Sequence, residues 1–198
     1  MEIQRKTVSE MDRTRYRGKL CLKWIKEIQV ENFMKIRTAT IKDLKKVTEV
    51  EASCFPPAEA ASEQSFADRL AVYADHFWLL EKDGELVSFV NGMVTDEPDL
   101  ADEMYSNASM HKETGKWQMI FGVNTLPQYR RQGFAEMVLN QVIADAREQG
   151  RKGLVLTCKE HMLHYYAKFG FVNEGLSESS HGDAVWYQMR LSFETESM

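Results

Sequence analysis

One short run of the sequence combines the residue types that suit a bound phosphate. In this run Pro127 turns the chain out of an apolar stretch, and Arg130-x-x-Gly133-x-Ala135 leads into an amphipathic pattern. A glycine and a small residue at a helix start let main-chain N–H groups approach a ligand, while the helix dipole and the arginines favour an anion such as pyrophosphate. Because a short glycine motif also fits a solvated basic turn, this run alone leaves both interpretations open.

A tyrosine pair near a predicted helix end is the second feature that could carry chemistry. Tyr165 and Tyr166 precede Phe169-Gly170-Phe171, in which the glycine ends the helix. A tyrosine hydroxyl has a pKa of about 10 and can lend a proton to a departing thiolate with a pKa of about 8.5. Neighbouring helical residues project about 100° apart, so we expect only one of the two tyrosines to face a common ligand. Core packing is the alternative role for both.

The elements that position these residues alternate between strand and helix signals from Met34 onward, which predicts an α/β or α+β fold. Asp83-Gly84 between two apolar runs predicts a hairpin, and the acidic stretch 96–115 predicts a loop with room for a short helix at 99–105. The predicted strands cover residues 35–38, 77–81, 85–94, 117–123, 154–158, 171–174 and 184–193. The predicted helices begin at Thr40, Ser62, Gly133 and His161 and end near Cys54, Tyr73, Gln149 and Phe169.

Composition and charge exclude several classes of protein. The chain has 198 residues, 43% of them hydrophobic, and its net charge of −5 argues against nucleic acid or an anionic membrane surface as the main partner. Cys21, Cys54 and Cys158 are an odd number without CxxC spacing, so neither a disulfide framework nor a zinc site is predicted. No stretch approaches the roughly 20 apolar residues of a membrane span, and no signal peptide is evident, so we expect a cytoplasmic protein.

The first 33 residues differ from the rest of the chain in charge. Eight basic residues stand there against five acidic ones, whereas residues 34–198 are acidic overall. We therefore expect two parts. Residues 1–33 form a basic N-terminal extension, either mobile or folded into a short docking helix from about residue 19, and residues 34–198 form one domain.

The order of these features resembles the GNAT family of N-acetyltransferases. A phosphate-type helix start, a long helix, a buried strand and then Tyr-x-x-Phe-Gly-Phe follow one another, and the resemblance extends over about residues 34–193. The segment 51–62 and the Phe-Gly-Phe ending resemble the arylalkylamine, or serotonin, N-acetyltransferase branch. The family implies an α/β (α+β) fold. Its mixed, twisted central sheet of about six to seven strands is flanked by helices, and the fourth and fifth strands splay apart around acetyl-CoA.

The same resemblance assigns roles to individual residues. Tyr166 matches the general acid of the family. Main-chain groups of Asn124 and Thr125 would contact the pantetheine arm of acetyl-CoA. The pyrophosphate would be held by Arg130, Arg131, Gln132, Gly133, Phe134 and Ala135.

One feature of the serotonin branch is missing. Its vertebrate members carry a His-x-His pair where this chain has Met119 and Phe121, neither of which can titrate. Another group must then take the proton of the amine, whose pKa of about 10 makes the neutral form cost roughly 4 kcal/mol at pH 7. We expect Glu59, in the loop between the first two helices, to be this base, as in some insect relatives. The weaker alternatives are Glu51, His111 and His181.

Together these features predict an acetyl-CoA-dependent N-acetyltransferase that moves an acetyl group directly to the primary amine of a small molecule, without a metal. A covalent role for Cys158 is rejected, because no base is adjacent to it in the sequence. Five acidic residues between positions 96 and 103 favour a cationic acceptor. The alternatives are a non-catalytic acyl-CoA-binding regulatory or interaction module and a protein or peptide N-acetyltransferase, and homodimerisation stays open.

Overall fold

The computed structural model describes residues 33–193, which form nine strands and four α-helices. The predictions for residues 1–32 lie outside the described part. The strands are β1 (Met34–Thr38), β2 (Phe77–Lys82), β3 (Glu85–Asn91), β4 (Val94–Thr95), β5 (Trp117–Ile120), β6 (Gly122–Thr125), β7 (Gly153–Cys158), β8 (Val172–Leu176) and β9 (Tyr187–Ser192). The helices are α1 (Leu44–Cys54), α2 (Glu63–Tyr73), α3 (Phe134–Glu148) and α4 (Leu163–Ala167). Within residues 33–193, no helix is both long and apolar enough to cross a membrane.

The strands form two sheets, in the orders β1-β2-β3-β6 and β4-β5-β7-β9-β8. All neighbours are antiparallel except β5 and β7, which are parallel. Two segments cross between the sheets, because β3 leads into β4 and β5 leads into β6, so the nine strands correspond to seven long segments of chain. The alternation of strand and helix signals thus correctly predicted a mixed α/β fold.

The fourth and fifth of these segments splay apart. β5 pairs with β7 as far as Ile120 and Leu156, whereas β6 pairs only with β3. Beyond Ile120, the structure describes no strand between the facing edges of β6 and β7. This divergence confirms the splay implied by the family resemblance, and it opens the cleft described below.

Local signals place the first two helices. The main-chain N–H of Thr40 donates to Asp43 Oδ2 at 2.9 Å, and a single 3₁₀ turn leads from this cap into α1. The helix ends at Cys54, because Pro56 disfavours helical backbone at the preceding residue. Ser62 caps α2 by accepting the N–H of Ser65 at 3.1 Å.

The hydrophobic core lies on both faces of the sheets. On one face, α3 packs Val138 and Leu139 against strand residues that include Leu156. On the other face, α1 and α2 cover a cluster in which Phe66 meets Phe77 edge to face at 5.9 Å. The two layers of helices hold the splayed strands between them.

Three predicted elements are interrupted in the structure. The predicted strand 85–94 breaks at Gly92, where an added Cβ would lie 1.7 Å from the carbonyl oxygen of Met119. The predicted strand 117–123 breaks at Phe121. The predicted helix 161–169 is a 3₁₀ turn followed by the five-residue α4. The first two breaks arise where chain segments cross between the sheets.

Candidate active site

A cavity of about 1070 Å³ occupies the splay between β6 and β7. One end is formed by the start of α3, and the other by the loop between α1 and α2 and the loop 177–186 that joins β8 to β9. Its volume slightly exceeds the usual range for ligand pockets, about 300–1,000 Å³. The cavity therefore has room for an extended ligand and a second molecule.

The α3 end of the cavity is built to receive an anion. Arg131 and Gly133 both have left-handed backbone, with φ of 61° and 83°, and this alternation turns successive N–H groups toward one side. Within the described residues, the N–H groups of positions 131–136 meet no acceptor. A Cβ added at Gly133 would meet nothing within 4 Å, so the space in front of the turn is open. Free donors at the start of a 15-residue helix suit a pyrophosphate.

The structure places five of the six predicted pyrophosphate residues on the cavity wall. Gln132 is the exception, because it is exposed and its side-chain amide donates to the carbonyl of Gln128 at 3.1 Å. The five that line the cavity are Arg130, Arg131, Gly133, Phe134 and Ala135.

The register of β6 decides which of its residues offer main-chain groups to the cleft. The N–H of Leu126 donates to Val87, so by strand alternation Asn124 turns its main chain toward β3. Consistent with this, the hydroxyl of Ser88 donates to the carbonyl of Asn124 at 2.5 Å. Thr125 faces the opposite edge and lines the cavity, as does Val123, a residue that the sequence motif did not indicate. Asn124 lies behind the wall.

Both tyrosines of α4 line the cavity, and Tyr166 lies deeper. It is 8% exposed, packs against Phe171, and its pKa is raised by burial. It therefore keeps its proton at neutral pH and is available as an acid. Tyr165 is half-buried and meets Tyr166 edge to face at 5.2 Å. Because both tyrosines line the cavity, their positions alone do not decide which of them acts as the acid.

Glu59 lies at the other end of the cavity in an ion pair. Its carboxylate accepts a hydrogen bond from Lys159 Nζ at 2.6 Å, and its side chain is 9% exposed. Its main-chain carbonyl lies 3.0 Å from His181 Nε2. The predicted role of Glu59 as the base stays a prediction, and the structure adds that its charge is balanced by a lysine.

Glu51, a weaker alternative in the sequence analysis, is the more deeply buried carboxylate of the cavity wall. It is 5% exposed, and its Oε1 accepts the N–H of Ala61 at 3.1 Å. Its Oε2 has no hydrogen-bond partner among the described residues. Burial raises the pKa of Glu51, and the N–H of Ala61, the guanidinium of Arg69 and the side-chain amide of Asn124 oppose that rise. The sequence contained no signal for this, since the burial depends on long-range packing.

The remaining walls of this end are aromatic. Tyr105 stacks on His181 at 5.0 Å and leans against Phe121 at 4.9 Å, and Trp186 lies 6.3 Å from the ring of His181. All four residues line the cavity.

The acidic loop contributes less to the cavity than its composition suggested. Of its five acidic residues, Asp102 alone lines the cavity. It accepts hydrogen bonds from the hydroxyl and the N–H of neighbouring serines, Ser179 and Ser180. Other carboxylates of the loop are paired outside the cavity, Asp96 with Lys112 and Asp99 with Arg190.

Two further residues that the sequence suggested for chemistry, Cys158 and His111, are packed among other side chains. Cys158 is 4% exposed, and burial raises its pKa to about 11, so it is a thiol rather than a thiolate at neutral pH. His111 lies outside the cavity wall and stacks on Tyr73 at 4.9 Å. Both observations agree with packing roles.

His111 also belongs to a cluster with His76 and Glu113, whose potential ligand atoms lie within 4.8 Å of one another. The N–H of Val94 donates to His111 Nδ1 at 3.2 Å, which puts the proton of the neutral ring on Nε2. That N–H points to Glu113 Oε2 at 3.2 Å. Because His111 has no free lone pair toward the cluster, the group does not fit a metal ion.

The sequence matches the model of a family of acetyltransferases, in agreement with the splayed sheet and the cavity described above. A family model described as "Acetyltransferase (GNAT) family" matches residues 44–171. A comparison of the sequence with curated proteins finds no match.

Three solved structures illustrate the similarity in fold. The loading GNATL domain of CurA from Lyngbya majuscula superposes with a TM-score of 0.70 at 16% identity, over 81% of this chain and 98% of that one. The ribosomal-protein-S18-alanine N-acetyltransferase from Escherichia coli gives 0.62 at 18% identity, over 84% and 99%. A GNAT family acetyltransferase from Brucella melitensis in complex with acetyl-CoA gives 0.54 at 18% identity, over 85% and 93%.

Proposed function

This chain belongs to the acetyltransferase (GNAT) family, and from that premise we propose that it transfers the acetyl group of acetyl-CoA to the primary amine of a small molecule. The observation that carries the proposal is the continuity of one cavity. It runs from the free N–H groups at the start of α3, through the splay, to an aromatic pocket with carboxylates in its wall. A cofactor site and an acceptor site therefore meet at the point where β6 and β7 diverge.

The cofactor end fits acetyl-CoA. Its donors are free, its backbone is preformed, and Arg130 and Arg131 supply positive charge. Positions 131–136 would hold the pyrophosphate, and main-chain groups of Val123 and Thr125 would hold the pantetheine arm along β6. Acetyl-CoA brings the acetyl group as a thioester, and the protein supplies orientation and proton transfer.

The reaction needs two proton transfers, and the cavity provides groups for both. Tyr166 remains protonated at neutral pH and would give its proton to the departing sulfur. A carboxylate on the opposite wall would take the proton of the incoming ammonium. Glu59 and Glu51 are the two carboxylates deep enough in the wall to do so.

The acceptor we propose is an arylalkylamine, the substrate class of the serotonin-like branch that the sequence resembles. Aromatic walls suit an aromatic body, and the wall carboxylates suit an ammonium group. The loop 177–186 also covers this end. It is tied to Asp102 through Ser179 and Ser180, and to Glu59 through His181. A covered pocket favours a small acceptor over a peptide chain.

An assay of CoA release tests the proposal. The purified full chain is mixed with acetyl-CoA, a thiol reagent and a panel of arylalkylamines, polyamines, aminoglycosides and peptide N-termini. We expect release with 2-phenylethylamine and tryptamine that depends on the amine. Release with peptides alone would instead identify a protein acetyltransferase, and binding of acetyl-CoA without release would identify a non-catalytic module.

A further inference from the structure

The carboxylate of Glu51 lies where the two sheets part. A Cβ added at Gly122, the first residue of β6, would lie 3.8 Å from Glu51 Oε2 and 3.1 Å from the side-chain amides of both Asn91 and Asn124. One residue, Phe121, separates Gly122 from Ile120, the last residue of β5 that pairs with β7. Glu51 Oε2 therefore faces the apex of the cleft, where the cofactor end and the acceptor end of the cavity meet.

Several buried polar atoms around this point have no hydrogen-bond partner among the described residues. They are Glu51 Oε2, Arg69 Nε and both side-chain polar atoms of Asn124. Buried polar atoms in native proteins are almost always hydrogen-bonded to protein, water or ligand. A group of them beside the apex of a large cavity therefore indicates a polar ligand group or an ordered water at that point.

Glu51 and Glu59 differ in what balances their charge. Glu59 is held by Lys159 at 2.6 Å, so protonating it would break an ion pair. Among the described residues, Glu51 has no ion pair within 4 Å. The guanidinium of Arg69 from α2 favours its charged form, but donates to Asn91 and to the carbonyl of Tyr105. The free oxygen of Glu51 is thus the better proton acceptor of the two.

We propose that Glu51 Oε2 takes the proton from the acceptor ammonium, directly or through one water; this inference rests on the proposed function. The neutral nitrogen then forms the N–C bond as the C–S bond breaks. The second nitrogen proton reaches the sulfur by way of the Tyr166 hydroxyl, and Glu51 returns its proton to solvent. The net products are the acetamide, the CoA thiol and one proton.

The titratable groups that face Glu51 come from three elements. Arg69 approaches from α2, His181 from the loop 177–186, and Cys54 lies on α1 itself. Arg69, the side-chain amide of Asn124 and His181 favour the carboxylate form, whereas burial favours the acid. A base with these surroundings titrates above an ordinary glutamate, which suits proton transfer near neutral pH.

The test compares three matched variants with 2-phenylethylamine as the acceptor: Glu51→Gln, Glu59→Gln and Glu49→Gln. Glu49 is also on α1 but faces solvent. We expect Glu51→Gln to lower kcat about 10²-fold or more at pH 7, with recovery at high pH, where the amine loses its proton unaided. Calorimetry should show wild-type affinity for acetyl-CoA. Glu59→Gln should keep the pH profile of the wild type, and Glu49→Gln should keep its rate.

Two outcomes would overturn the inference. One is a Glu51→Gln variant with the kcat and pH profile of the wild type. The other is loss and high-pH recovery in Glu59→Gln alone. If Glu51→Gln does not fold, Glu51→Met, which also lacks a carboxylate, replaces it, and a wild-type kcat and pH profile in that variant would equally contradict the role. A wild-type protein that releases no CoA with any amine would refute the proposed function itself.

Discussion

At the scale of single residues, burial in the cavity wall favours the protonated form of three side chains, with a different consequence for each. Burial raises the pKa of Tyr166, of Cys158 and of Glu51. For the tyrosine this secures an acid at neutral pH, and for the cysteine it removes a nucleophile. For Glu51 it makes the carboxylate a stronger proton acceptor than an ordinary glutamate.

The two tyrosines of α4 are distinguished by substitution. We expect Tyr166→Phe to lower kcat by about 10²-fold, because general acid catalysis is typically worth 10² to 10⁴ and a thiolate is a tolerable leaving group. Its affinity for acetyl-CoA should stay near that of the wild type. Tyr165→Phe should have little effect on kcat. The reverse pattern would move the acid to Tyr165.

The stability of the fold should also depend on Glu51. Its folded pKa is raised, so the stability linked to its protonated form is present below the pKa of an unfolded glutamate and is lost as pH rises through the folded value. Glutamine cannot ionise, so Glu51→Gln does not lose stability in this way as pH rises. We therefore expect the Tm of the variant, relative to the wild type, to be higher at pH 7.5 than at pH 4, where 1 kcal/mol corresponds to about 2–4 °C. If the Tm difference between variant and wild type were the same at both pH values, burial would not destabilise the ionised form of Glu51.

At the scale of elements, the start of α3 is the feature on which cofactor binding depends. Gly133 and Gly150 form a matched pair at the two ends of this helix. Both have left-handed backbone, with φ of 83° and 72°, and an added Cβ would meet nothing within 4 Å at either. Only Gly133 lines the cavity.

Alanine at these two glycines should therefore cost similar stability and affect binding differently. We expect Gly133→Ala to weaken acetyl-CoA binding about tenfold or more, because the methyl group occupies space in front of the free N–H groups. Gly150→Ala should bind as the wild type does. Calorimetry on the two folded variants gives the comparison, and equal affinities would remove the pyrophosphate site from this turn.

Elements whose signals are local could be predicted from the sequence, and those set by crossings between segments could not. Thr40 and Ser62 cap their helices as predicted, because a cap depends on residues three positions away. The breaks at Gly92 and Phe121 depend on where β3 and β5 cross between sheets, which no local pattern contains.

The same distinction holds for the candidate site. Gly133 and Arg131 stand in a contiguous motif and were selected directly. The depth of Glu51 depends on α2 and β6, and the direction of Asn124 depends on its register with β3, so both required the structure.

At the scale of the whole molecule, three distant segments enclose the acceptor end of the cavity. The loop 177–186 is tied to Asp102 of the acidic loop, and it packs on Glu59, whose Cγ would lie 2.6 Å from a Cβ added at Gly182. These contacts join parts of the chain that are otherwise remote in sequence.

Removing the hydrogen bonds that hold the loop 177–186 should weaken binding of the amine and leave binding of acetyl-CoA unchanged. Asp102→Ala removes the acceptor of hydrogen bonds from Ser179 and Ser180. We expect the KM for 2-phenylethylamine to rise about fivefold, the equivalent of roughly 1 kcal/mol for a lost hydrogen bond. The Kd for acetyl-CoA should be unchanged. A variant with a weakened acetyl-CoA affinity and an unaltered KM would show that the two ends are not separate.

The central claim is that this cavity brings acetyl-CoA and a small amine together for direct transfer. Its most direct test is mass spectrometry of the reaction of the full chain with acetyl-CoA carrying a ¹³C-labelled acetyl group and 2-phenylethylamine or tryptamine. We predict labelled N-acetylamine and free CoA in equal amounts, and loss of both in Glu51→Gln at neutral pH. Free CoA with labelled acetate and no acetylated amine would contradict the account.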